Sequence, residues 1–176
     1  MRKALIYVLG ALLCFYLDTL LAFLSPITIG QVKFILVPHL VFLMLMLMTV
    51  YRNTSTALVM GLLLGIMQDL YFGQIYGLYL FGYLISILIA DKFLKPFYRD
   101  HTMVYCMILL GMIFLEIFVV AVYNMLGFIS FHMLPFLLLR IIPTVLMNGL
   151  LLIVIYLLMD RRTKVLTSNN QSDMMQ

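Results

Sequence analysis

A chain of 176 residues that is 65% hydrophobic and 10% charged excludes a water-soluble domain, in which about a quarter of residues carry charge. No packing of so short a chain hides that much apolar surface from water. It reads as an all-α integral membrane protein of one domain, with no polar stretch long enough for a second. The formal net charge of +4 is modest, and its distribution below assigns it to membrane topology and the bilayer surface, with no nucleic acid partner.

Six apolar spans are predicted in chain order, over residues 4–24, 34–50, 56–72, 77–90, 102–126 and 134–159. The first follows Arg2 and Lys3 and resembles a secretory signal. Asp18 interrupts it and no small-x-small cleavage site follows, so a retained helix is expected. In the second, Pro38 and His39 come early, and proline removes a helix hydrogen bond. The regular helix should therefore begin near Pro38, with His39 satisfied at an interfacial helix end. The fourth span is short: fourteen residues make only ~21 Å, against ~30 Å of hydrocarbon. Gly73-Gln74-Ile75-Tyr76-Gly77 leaves almost no loop before it, so the third and fourth spans should form a tight hairpin. The six spans belong to a domain over residues 1–165, and residues 166–176 read as a disordered polar tail.

Basic residues orient the chain. With both ends cytoplasmic, Arg2, Lys3, Arg52, Lys92, Lys95, Arg99, Arg161, Arg162 and Lys164 lie inside and only Lys33 lies in an outer loop. That asymmetry is the positive-inside pattern. The cysteines, Cys14 and Cys106, fall in spans and read as small hydrophobes. The alternating Met44, Met46 and Met48 point to different sides of a helix and read as adaptable packing.

Four ionisable residues lie within the spans: Asp18, Asp69, Glu116 and Arg140. A charge at mid-bilayer costs roughly 2.5–3.5 kcal/mol on insertion scales, so each should face a partner or a cavity. Asp69 belongs to the series Gly61, Gly65, Asp69, Gly73, Gly77, one residue every fourth position. In a helix that spacing makes a nearly continuous stripe, and small residues let two backbones approach. The stripe therefore reads as a packing surface for a partner or for the hairpin. Arg140 cannot lose its proton and needs a carboxylate or the interface, and Asp69 is the expected partner. With Asn148 these residues form a candidate polar network of Asp18, Asp69, Glu116, Arg140 and Asn148.

Enzyme motifs are missing: there is no nucleophile elbow, HExxH or phosphate-binding glycine loop. No spacing of His, Cys or carboxylates suits a metal. No enzyme activity, cofactor or metal is expected. The apolar stretch Leu150–Met159 argues against a continuous polar path for ions.

The Gly61-x3-Gly65-x3-Asp69-x3-Gly73-x3-Gly77 series within six spans resembles MreD, the bacterial rod shape-determining membrane protein family. Pro38-His39 and Arg140-Ile-Ile-Pro143 with Asn148 fit the same pattern. The resemblance implies a compact bundle like the substrate-binding subunits of energy-coupling-factor transporters. It also implies a non-enzymatic plasma-membrane scaffold for side-wall peptidoglycan synthesis, with MreC, MreB, RodA and a transpeptidase as partners. The short polar segments leave little for a large cytoplasmic partner beyond Asp91–His101, the Arg52 loop and the tail. The alternative is a small-molecule-binding transporter subunit, which needs an outward cavity lined by groups such as Asp69, Gln74, Arg140 and Asn148.

Overall fold

The computed structural model describes residues 2–51, 53–93, 101–129 and 132–155. The expected contact segments at Arg52 and Lys95–Arg99, the end of the sixth span and the tail lie outside the described residues. Six helices and one small hairpin follow in order: α1 (Arg2–Ala22), β1 (Ile27–Ile29), β2 (Val32–Phe34), α2 (Leu40–Tyr51), α3 (Thr54–Tyr71), α4 (Leu78–Phe93) and α5 (His101–Met125). The last is α6 (Met133–Ile155). Among the described residues, three helical stretches are long and apolar enough to cross a bilayer: Thr54–Tyr71, Thr102–Met125 and Met133–Ile155. Large apolar side chains such as Leu9, Leu63, Leu110 and Leu146 cover the outside, the distribution of a protein solvated by lipid and not by water.

Helix α2 is the core. Ten of its 12 residues are buried, and Val41, Phe42, Leu43 and Leu45 are wholly enclosed. A helix that is apolar all round is stable only where neighbours surround it. Met46 and Met48 join this core and Met44 packs against it. Cys14 is half-buried, whereas Cys106 is exposed on α5, so only the first approaches the enclosed position expected of both.

The regular helix of the second span begins beside Pro38, as the early proline leads one to expect. Its helix starts at Leu40, because Pro38 biases Val37 away from helical backbone and offers no N–H of its own. Residues 35–39 are extended instead. Before them, Ile27 pairs with Phe34, Thr28 with Lys33 and Ile29 with Val32. Gly30 turns this hairpin with φ of 64°, a conformation glycine adopts without strain. Twelve helical residues span only ~18 Å, well short of ~30 Å of hydrocarbon.

The expected α3–α4 hairpin forms. Asn53 caps α3 by accepting from Ser55 N–H, and Thr54 Oγ1 donates to Asp91 across the pair. On the facing stripe, a Cβ built on Gly65 would lie 2.7 Å from Leu80 Cα, and one on Gly61 would lie 2.6 Å from Ile87 Cδ1. The absence of side chains there is what brings the two backbones together.

Candidate functional site

The polar residues at membrane depth fall into two groups. The first satisfies backbone. Asp69 accepts from Gly77 N–H and Leu80 N–H with Oδ2, both at 3.0 Å, and from Tyr79 N–H with Oδ1 at 2.8 Å. These are donors that the first turn of a helix leaves without intrahelical partners, and a carboxylate there also complements the helix dipole. Asp18 does the same for α2, accepting from Leu40 N–H at 2.8 Å and Val41 N–H at 3.0 Å.

The extended residues 35–39 need the same service over their whole length, since unpaired backbone in hydrocarbon costs several kcal/mol per group. Leu36 N–H donates to Ser25 Oγ, and Val37 N–H donates to Thr144 Oγ1. His39 N–H donates to Asn148 Oδ1 at 2.8 Å, while Asn148 Nδ2 donates back to Val37 O at 2.8 Å. Ile35 N–H donates to Leu139 O at 2.8 Å. That carbonyl is available because its ordinary helical donor would be residue 143, a proline without an N–H. The helix widens there into a π turn over Leu137–Ile141, and Ile142 N–H donates to Leu137 O. Every backbone N–H from residue 35 to residue 41 thus has a named acceptor.

The second group is a triad around one buried carboxylate. Glu116 is 2% exposed and sits between α2 and α6. Its Oε2 accepts from Arg140 Nε at 2.8 Å, and its Oε1 lies 2.7 Å from His39 Nε2. A carboxylate only accepts, so the proton between this pair sits on His39 Nε2. Arg140, 25% exposed, borders two outer clefts, one beside Lys33 and His132 and one beside Gln74 and Tyr123.

The expected Asp69–Arg140 pair is not what forms. Asp69 is turned to the α4 N-terminus only a short loop ahead, and Arg140 meets Glu116 on the preceding helix instead. His39 lies just ahead of α2, as expected, and is 2% exposed inside the bundle. Of the groups named for a transporter cavity, Gln74 and Arg140 share a cleft, and Asp69 and Asn148 bond backbone. The stripe glycines Gly61 and Gly65 face α4 of this same chain. Gly73 lies against the Asp69 backbone and Gly77 has φ of 94° in the turn. The sequence did not single out Ser25 or Thr144, and it marked His39 only as a satisfied helix end. The early Pro38 was the available signal, since an interrupted span requires side-chain partners for its backbone.

The family model described as "MreD: rod shape-determining protein MreD" matches residues 1–163. The "Rod shape-determining protein MreD" of Bacillus subtilis (strain 168) is 27% identical over 116 residues, 65% of this chain and 66% of that protein. The match therefore spans just under two thirds of the relative's length. No solved structure matches the chain. A match over nearly the full length, carried by a helical, lipid-exposed bundle, places the chain in the MreD family of rod shape-determining membrane proteins.

Proposed function

We propose that the chain is a non-enzymatic scaffold subunit of the rod-shape machinery in the plasma membrane. In this reading it is a six-span bundle with both termini cytoplasmic, of the kind used by substrate-binding subunits of energy-coupling-factor transporters. It holds MreC and so helps position the other elongation proteins. The observation that carries the reading, beside family membership, is the use of the membrane-depth polar groups. Asp18, Asp69, Thr144 and Asn148 hold backbone, and Glu116 holds His39 and Arg140. Groups spent on rigidity suit a platform for a partner better than a substrate path.

A groove of about 320 Å³ between α4 and α5 supports a place for the partner's transmembrane helix. Its floor includes Ser86, Ala90 and Gly111, and its walls include the exposed Leu110 and Phe114. Small residues flanked by large ones suit helix–helix contact in lipid. Ser86 Oγ is buried there with no hydrogen-bond partner among the described residues. The test is a photoreactive residue at Leu110, with Leu146 on exposed α6 as control, in native membranes. Capture of MreC from position 110 and not from 146 supports the reading. Equal capture at both positions, or none at 110 while MreC is present, contradicts it.

A further inference from the structure

Where the ends of α1 and α3 meet the extended segment there is a cavity of about 190 Å³, lined in part by Asp18, Ser25, His39, Gln68 and Tyr79. Two of these bring buried polar atoms without a hydrogen-bond partner among the described residues, His39 Nδ1 and Gln68 Oε1. The residues are 2% and 5% exposed, and orphaned polar atoms at such burial are costly unless something occupies the space beside them.

The missing occupant is a donor. His39 spends Nε2 on Glu116, which leaves Nδ1 as the ring atom without a partner beside the cavity. Gln68 Oε1 accepts only. Asp18 spends one lone pair of each oxygen on Leu40 and Val41, and a carboxylate offers about four such sites. The α2 N-terminus contributes only roughly half a positive charge, so an ionised Asp18 would leave a net negative charge for a bound cation to balance. No lysine or arginine is among the described residues lining it. A metal suits the site poorly: among the described residues no group of three or more His, Cys, Asp or Glu is arranged to hold one, and hard cations prefer an all-oxygen shell. Water fits by size, at ~30 Å³ per molecule, but it brings no charge to match the carboxylate.

We propose that this cavity binds a primary ammonium group, supplied by an aminophospholipid headgroup or by a free amine. Three N–H donors on one cation match a carboxylate, an imidazole nitrogen and an amide oxygen. A quaternary ammonium, with no N–H, does not. This site is independent of the scaffold reading, and neither falls with the other.

The experiment uses the full-length protein in phosphatidylcholine–phosphatidylglycerol nanodiscs. Its unfolding temperature is followed while ethanolamine hydrochloride or tetramethylammonium chloride is added at equal ionic strength. A second set of discs replaces phosphatidylcholine with phosphatidylethanolamine. Ligand that binds only the folded state raises the midpoint, so ethanolamine is expected to raise it by several degrees and tetramethylammonium to leave it unmoved. Gln68→Leu removes an acceptor whose oxygen bonds nothing among the described residues, so it should fold and lose at least half of the shift. A phosphatidylethanolamine disc that stabilises the wild type more than Q68L assigns the ammonium to lipid. A response to ethanolamine alone assigns it to a free amine. No response, an equal response to both salts, or a full shift in Q68L overturns the proposal and leaves the cavity to water.

Discussion

Asp18 and Asp69 do one job at two places. Each lies near the end of an odd-numbered helix and caps the start of the next. The difference is distance along the chain. Asp69 reaches amides 8 to 11 residues ahead, within one tight hairpin. Asp18 reaches 22 and 23 residues ahead, past a β-hairpin and an extended segment that α6 pins from more than a hundred residues away. The α3–α4 hairpin can close on local contacts. The α1–α2 connection is finished only when α6 arrives, so its geometry is a property of the whole bundle.

That contrast can be broken by substitution. The largest loss is expected for Asp18→Ala, which strands two buried amides; at roughly 1–3 kcal/mol per orphaned group it should cost about 4 kcal/mol in reversible unfolding. Asn148→Leu strands the His39 N–H and the Val37 carbonyl and should cost about 3 kcal/mol. Asp69→Ala exposes more amides but at a helix end nearer solvent, and about 2 kcal/mol is expected from the usual loss of a cap. If Asp69→Ala proves costlier than Asp18→Ala, the ranking by burial fails. Gly65→Ala should follow at about 1–2 kcal/mol, because its Cβ meets the Leu80 backbone, whereas Gly61→Ala meets the movable end of Ile87 and should cost less. Ser25→Ala is the smallest, at about 1 kcal/mol for one partly buried hydrogen bond. The same series read in detergent by thermal midpoint must keep this order.

The parts legible in the sequence are those with local causes. Helix positions follow from apolar runs, and the hairpin follows from glycines four apart and a five-residue connection. Asp69 and Asn148 stood out because polar groups in apolar runs need partners. Their partners were not legible. Arg140 went to Glu116 and not to Asp69, a choice set by which faces of α5 and α6 meet. The β-hairpin had a signal, the β-branched residues alternating around Gly30-Gln31, but it sits between apolar spans that dominate any reading by hydropathy. The π turn in α6 follows from Pro143 only once Ile35 is known to lie beside Leu139.

The central claim is that side chains from α1, α6 and the α1–β1 connection, together with the Leu139 carbonyl, satisfy the backbone of residues 35–41 inside the membrane. Amide hydrogen exchange in nanodiscs, resolved for residues 35–41 and compared between wild type and Asn148→Leu, tests it most directly. The expected result is strong protection in the wild type. In the variant, exchange should rise at least tenfold at Val37–His39 while the α3–α4 hairpin is unchanged. Fast exchange of this segment in the wild type, or a variant in which it stays as protected as before, would contradict the claim.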